Sequence, residues 1–200
     1  MSSQTDRTVP LRAERTHDGP VGASDHYVHA RLCRAKPPGV LDGICPAGLE
    51  DLGTLERKIL ELLVIGSTDR AIAEALAVSP DQVSWCVRKL IKRVGHRTTR
   101  AGLVALALRH RLVDHPRPQH PGHLPDESMA LLWSLACGQT FKAFAEGIGT
   151  WEAERIRTNL RMRLCGLPNP ERSATAPLTP GHAVYMGWPT LAEEAGWGSA

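Results

Sequence analysis

The sequence predicts an all-α protein made of tandem four-helix units behind a flexible N-terminal arm. Three observations carry that expectation. From Leu52 onward apolar residues return every three or four positions, the period of a helix with one buried face. Residues that start and stop helices stand between these segments at short intervals. The block LGTLERKILELLVIGSTDRAIAEALA, beginning at Leu52, returns as LPDESMALLWSLACGQTFKAFAEGIG, beginning at Leu124. The match pairs Gly66 with Gly138, Thr68 with Thr140, Arg70 with Lys142 and Ala73 with Ala145.

Residues 1–50 are rich in Pro, Gly and polar side chains, with no sustained period apart from a short helical pattern around Asp25–Arg34, and read as a flexible arm. The first unit spans 51–113. Leu55, Ile59, Leu62 and Leu63 share one face, and Gly66 stands where a C′ glycine belongs, so a helix is expected over Leu55–Ile65. Thr68 caps a second helix, Asp69–Leu76, with Ala71, Ile72, Ala75 and Leu76 facing inward and small Ala73 turned to a close neighbour. After only Ala77, Val78 and Ser79 a third helix begins. Ser79 is its cap, Pro80 fits its first position, Gln82 completes a capping box, and Gly95 ends it. Val83, Val87, Leu90, Ile91 and Val94 form its buried stripe. Thr98 or Thr99 starts a fourth helix through Leu103, Leu106, Ala107 and about Leu112.

The segment 114–123, with three prolines and a glycine, reads as a linker. The second unit occupies 124–200. After Ile148 the repeat slips register: Thr150 caps a helix whose inner face is Ile156, Leu160 and Leu164. Trp133 and Trp151 are expected in a core or interface. Past Leu167 the prolines at 168, 170, 177, 180 and 189 leave room for one short helix near Pro180–Trp188 and another near Thr190–Ala195.

The net charge of +3 conceals an uneven distribution. Lys and Arg balance Asp and Glu at six each in 1–50, exceed them eleven to six in 51–113, and trail them seven to nine in 114–200. No apolar run is long enough to cross a bilayer, and the N-terminus lacks a leader pattern, so a cytoplasmic protein with no membrane contact is expected. Five scattered cysteines form no paired framework, and Cys86, Cys137 and Cys165, within apolar helical patterns, read as buried thiols. His26, His29, Cys33 and Cys45 match no standard zinc spacing, so no metal or cofactor is expected. The chain has no phosphate-binding glycine loop, nucleophile elbow or His-Glu pair at metalloprotease spacing. No enzymatic activity is expected.

Two helices joined by a three-residue turn, with a small residue on the first and a cationic outer face on the second, describe a helix-turn-helix. Ala73 permits close approach and Val83 packs back to fix the crossing. Gln82, Ser84, Trp85, Arg88, Lys89 and Lys92 are left facing outward. From Arg88 to Arg100 there are six cations and no acid, which points to a polyanion.

Over Leu52–Val113 the sequence resembles the LuxR/FixJ-type DNA-binding domain. The matching residues are Leu52, Ile59, Leu60, Leu62, Leu63, Gly66, Thr68, Ile72, Ala73, Leu76, Val78, Ser79, Val83, Val87, Leu90, Arg93 and Gly95. The second unit resembles a degenerate copy. The resemblance implies a sequence-specific transcriptional regulator that lays the 79–94 helix in the major groove of double-stranded DNA. Base contacts would come from Ser84, Trp85 and Arg88, and phosphate contacts from Gln82, Lys89 and Lys92, with Arg93 and Arg97 in the same basic run. The sequence departs from the family at Asp69-Arg70-Ala71, where Asn-Lys-Glu is usual, at Ser84 and Cys86, where Lys and His are common, and at Ala77, where glycine is frequent. One direct cationic contact is thereby lost.

Such domains generally pair through the fourth helix, so Leu103, Leu106 and Leu112 are expected at an interface. The partner is either a second chain in a homodimer or the tandem copy in an intramolecular pseudo-dimer; separate units on the linker are the alternative. Two other readings remain open. One is a protein-interaction module that kept the fold without base readout and pairs with a related regulator. The other is a sigma-factor-like module that contacts RNA polymerase.

Overall fold

The computed structural model describes residues 49, 51–95, 98–116, 118–166 and 178–197, and every regular element among them is a helix. In chain order these are α1 (Thr54–Val64), α2 (Asp69–Leu76), α3 (Pro80–Val94), α4 (Arg100–Arg109), α5 (Asp126–Ala136), α6 (Phe141–Ile148), α7 (Thr150–Cys165) and α8 (Pro180–Ala195). The expected arm falls outside the described residues except Leu49, which is buried in the core.

Local chemistry accounts for most boundaries. The hydroxyls of Thr68, Ser79 and Thr99 accept the N–H groups of Ala71, Gln82 and Gly102 at 3.3, 3.1 and 3.3 Å, satisfying orphan donors at the starts of α2, α3 and α4. Gly66, at φ +86°, follows α1, and the Ser67 N–H returns to the Leu62 carbonyl. Ala77 closes α2 in the left-handed region, at φ 53° and ψ 42°, where an L side chain is strained. The inward face of α2 is Ile72 and Ala73 with half-buried Leu76, while Ala71 and Ala75 are exposed. Helix α4 stops at Arg109, short of the expected Leu112, because Arg111 turns to φ 50° and the Leu112 N–H closes onto the Ala107 carbonyl. Thr150 is the first residue of α7, not its cap; Gly149 precedes it without a side-chain acceptor.

The largest departure from expectation is α8, one continuous helix where the sequence predicts two short ones. Pro189 lies inside it and removes one backbone bond, at a cost of about 3 kcal/mol. Val184, Tyr185, Met186 and Leu191 are all buried along its length. At about 1.5–3 kcal/mol for each large apolar side chain, that burial outweighs the break.

Within the first half α1 packs on α2, α3 and α4, α2 packs on α3, and α3 on α4; the corresponding pairs among α5 to α8 are in contact as well. The halves meet where α4 lies along α8, with α4 also touching α5 and α1 touching α8. Two close approaches fix this seam. A Cβ on Gly66 would lie 2.6 Å from the Cβ of His182, and one on Gly102 would lie 2.9 Å from the Cα of Gly138. Gly66 and Gly138 each follow the first helix of their half, and His182 and Gly102 are each the third residue of the opposing fourth helix.

Leu103 and Leu106, expected at an interface, are buried at 0% and 1% exposure, and Leu112 is half-buried, so the first two are not open to a second chain. Residues 114–116 and 118–123 form no helix, but they are docked: Tyr185 Oη donates to the Pro116 carbonyl, the His115 ring meets the Tyr185 ring edge-on, and His120 Nε2 lies 3.0 Å from Glu193. Trp133 is buried and its indole N–H donates to Glu194 at 3.1 Å. Trp151 is 77% exposed, which excludes the core of the two expected places and leaves an interface, and Cys165 is exposed, contrary to expectation, because both project from the outer face of α7.

Two substitutions test these constraints. Ala77→Gly relieves the left-handed strain and raises the unfolding free energy by about 1 kcal/mol in a denaturant titration. Gly66→Ala lowers it by about 2–4 kcal/mol, and adding His182→Gly, which removes the clashing Cβ as well as the ring, recovers part of the steric loss but not the backbone part.

Candidate nucleic-acid interface

The outward side of α3 gathers the residues singled out in the sequence, and tertiary contacts sort them into two groups. Gln82, Trp85, Arg88 and Lys92 are exposed, Trp85 by 56%. Arg88 Nε donates to the Ser84 carbonyl one turn earlier, at 3.3 Å, which leaves the terminal guanidinium nitrogens outward. Lys92 forms no ion pair with any described residue.

The second group is engaged. Lys89 Nζ lies 2.8 Å from Glu56 Oε1, and Arg93 donates to Glu56 Oε2 at 3.0 Å. One carboxylate thus offsets one of two cations that the sequence places on a free basic face. Lys89 also lies 5.3 Å from the Trp85 ring centroid, a cation–π distance that holds the indole over the helix surface. Ser84 is half-buried and its hydroxyl donates to Asp69 at 3.3 Å, away from the outer face. Asp69 in turn takes both terminal nitrogens of Arg100, at 2.6 and 2.7 Å. Arg97 lies outside the described residues.

Glu56, Asp69 and Arg100 are the site residues that sequence reasoning missed. Glu56 carries a readable signal, since it stands third in α1 and accepts the Gly53 N–H at 3.2 Å. Its reach to α3, more than thirty residues on, does not show in any local pattern. The hydrogen bond from Lys89, with smaller help from Gly53 and Arg93, holds the Glu56 carboxyl below its ordinary value of 4.5 against the opposing effect of burial. The Arg100 hydrogen bond does the same for Asp69, below 3.8. Burial raises the Cys86 and Cys137 thiols, the latter to about 11, so both are inert.

Helix α7 stands in the second half where α3 stands in the first. Its buried stripe Ala153, Ile156 and Leu160 repeats the spacing of Val83, Cys86 and Leu90. That register sets Arg155 against Trp85, Thr158 against Arg88 and Met162 against Lys92. Arg155 is held by Glu152 and by Glu127, the latter at 2.8 Å, and Arg157 by Glu154 at 2.6 Å. The N-terminal half of the outward face of α7 thus carries paired charge, while Arg161 and Arg163 farther along are exposed with no ion pair among the described residues, and Trp151 and Met162 are exposed as well, the latter by 64%.

No group of three His, Cys, Asp or Glu side chains among the described residues could hold a metal ion, and His26, His29, Cys33 and Cys45 lie outside them. No helix among the described residues is long and apolar enough to cross a membrane.

The lowered carboxyls set an acid limit on stability. A group whose pKa is depressed by folding stabilises the native state fully above its unfolded value and loses that contribution as pH falls through the folded one. Denaturant midpoints therefore fall between about pH 5 and about pH 3, and a Glu56→Gln variant, already lacking one such group, shows a shallower decline over the same window.

Compared with known proteins, the chain matches no family model, no curated protein and no solved structure.

Proposed function

We propose that the protein is a sequence-specific DNA-binding transcriptional regulator that reads double-stranded DNA through α3. The exposed triad of Trp85, Arg88 and Lys92 on one outward helix face carries this reading. Helices α2 and α3, joined through left-handed Ala77, act as a helix-turn-helix, and the resemblance to LuxR/FixJ-type domains assigns the groove-facing role to α3. Arg88 presents a planar fork to guanine O6 and N7, Trp85 an apolar edge to a thymine methyl, and Lys92 a point charge to phosphate. Gln82 adds a polar contact at the start of the same face. Lys89 and Arg93, shared by Glu56, shape the surface more than they add charge to it.

On this reading the two halves are tandem helix-turn-helix units that form an intramolecular pseudo-dimer. The repeated pattern of helix contacts and the α4–α8 seam support it, because α8 takes the place that a second chain's fourth helix would fill. Reading falls mainly to α3, since Arg155 and Arg157 on α7 are paired with acids and only Arg161 and Arg163, toward its end, are left without an ion pair among the described residues.

A second reading is a protein-interaction module, and exposed Trp151 and Met162 on α7 favour it. In this form the partner, whether RNA polymerase or a related regulator, meets α7 and not Leu103 and Leu106, which are buried.

Selection from random duplex DNA by the full chain separates the two. DNA reading predicts an enriched motif, an affinity loss of roughly one to two orders of magnitude for Arg88→Ala at a guanine position, and a salt slope reduced by about one for Lys92→Ala. Glu56→Gln frees two cations and strengthens binding to non-specific duplex. No enriched motif, with Arg88→Ala and the parent binding equally weakly, would leave only the interaction reading.

A further inference from the structure

Where the two halves meet there is a cleft of about 400 Å³, within the range of small-molecule sites and far larger than the voids a packed core tolerates. Both halves build it. Leu63 and Ala101 come from the first, and Leu135, Phe141 and Pro180 from the second, so most of the wall is apolar.

Four polar groups of the wall share one character. Thr68, Thr99, Thr140 and Thr179 line the cleft, and the side-chain oxygen of each already accepts a backbone N–H, from Ala71, Gly102, Ala143 and His182 respectively. One lone pair of each hydroxyl is thus used, and its proton is left as a donor. Gln139 adds another: its amide oxygen accepts Ser134 Oγ at 2.7 Å, which leaves the amide N–H groups to donate. The charged lining residues, Asp69 and Arg100, are paired to each other and present no net charge. A wall that is apolar, uncharged on balance and supplied with donors fits a ligand that is apolar, uncharged and supplied with acceptors.

The geometry points to a binding site, in this cleft between the α1–α4 and α5–α8 halves, for an uncharged, largely apolar small molecule that carries one or more acceptor oxygens such as a ketone or amide carbonyl. The site does not depend on the DNA reading. Its occupant would touch both halves at once and so stabilise their seam by mass action, through any affinity for the folded chain alone.

The probe is prodan, an uncharged naphthalene ketone whose emission shifts to the blue in an apolar environment, titrated into the full chain. The expected result is one saturable site with blue-shifted emission, together with a melting temperature that rises with probe concentration. Two variants block the cleft: Gln139→Trp from the exposed rim, and Ala101→Leu from the wall. Both abolish the saturable signal, and Gln139→Trp, at a solvent-facing position, does so while keeping the parent's cooperative melting. The naphthylamine lacking the ketone competes about fivefold to tenfold more weakly, the effect of one lost hydrogen bond. No saturable shift, or a shift that persists unchanged in Gln139→Trp, would overturn the site. Equal competition by the ketone-free analogue would overturn the assigned ligand class.

Discussion

The contact of α4 with α8 is the constraint on which the rest of the molecule depends. Either half alone would expose the face by which its fourth helix meets the other, where Val104 lies against Gly181 and where buried apolar residues would meet water. Docking the halves removes both faces at once. Glycine makes the approach possible: Gly66 admits His182, and Gly102 and Gly138 meet backbone to backbone. The same burial keeps α8 intact across Pro189 and pins residues 114–116 and 118–123 through Tyr185 and Glu193. A four-residue arrangement at the seam thus reaches from backbone conformation to the shape of the whole chain.

Charge is organised as carefully as packing. Glu56 and Asp69 stand near the starts of α1 and α2, where carboxylates also favour the helix dipole, and each reaches a cation distant in sequence. Their pairing with Lys89, Arg93 and Arg100 holds α3 and α4 against the first two helices and reduces the field of the basic run. The second half does not repeat the arrangement. Ser128, which the repeat aligns with Glu56, is fully buried, and its hydroxyl has no partner among the described residues. There Glu127, one position earlier, takes up Arg155 instead. Two halves with the same helix contacts have consequently acquired different surfaces: α3 keeps Arg88 and Lys92 unpaired, while α7 pairs Arg155 and Arg157 with acids and shows Trp151 and Met162 beside Arg161 and Arg163.

Those surfaces give the molecule a division of labour under the proposed function. One helix retains the chemistry to meet a polyanion, and its counterpart retains the shape with two of its four arginines paired to acids. The intramolecular seam makes this asymmetry permanent, since a homodimer of identical chains could not present two different faces on a single particle. The cleft between the halves is a product of the same docking, and its walls come from corresponding positions of the two halves, Leu63 and Thr68 opposite Leu135 and Thr140.

The sequence by itself determined the helices and most of their ends, because those depend on interactions within a few residues. Thr68, Ser79 and Thr99 bond donors three positions ahead, Gly66 and Ala77 end helices through local geometry, and the spacing of Val83, Val87 and Leu90 is visible along the chain. The outward residues of α3 were legible for the same reason, being the complement of that buried stripe. Only the tertiary structure decided which outward cations are free: Lys89 and Arg93 look identical to Lys92 in the sequence, and differ because Glu56 is brought beside them from another helix. It alone decided that Leu103 and Leu106 are buried within the chain, that Trp151 is exposed, and that Pro189 does not break α8. Each of these depends on burial and pairing between segments far apart in the chain, and the free energy of such contacts is fixed by where the segments meet, which local periodicity does not encode.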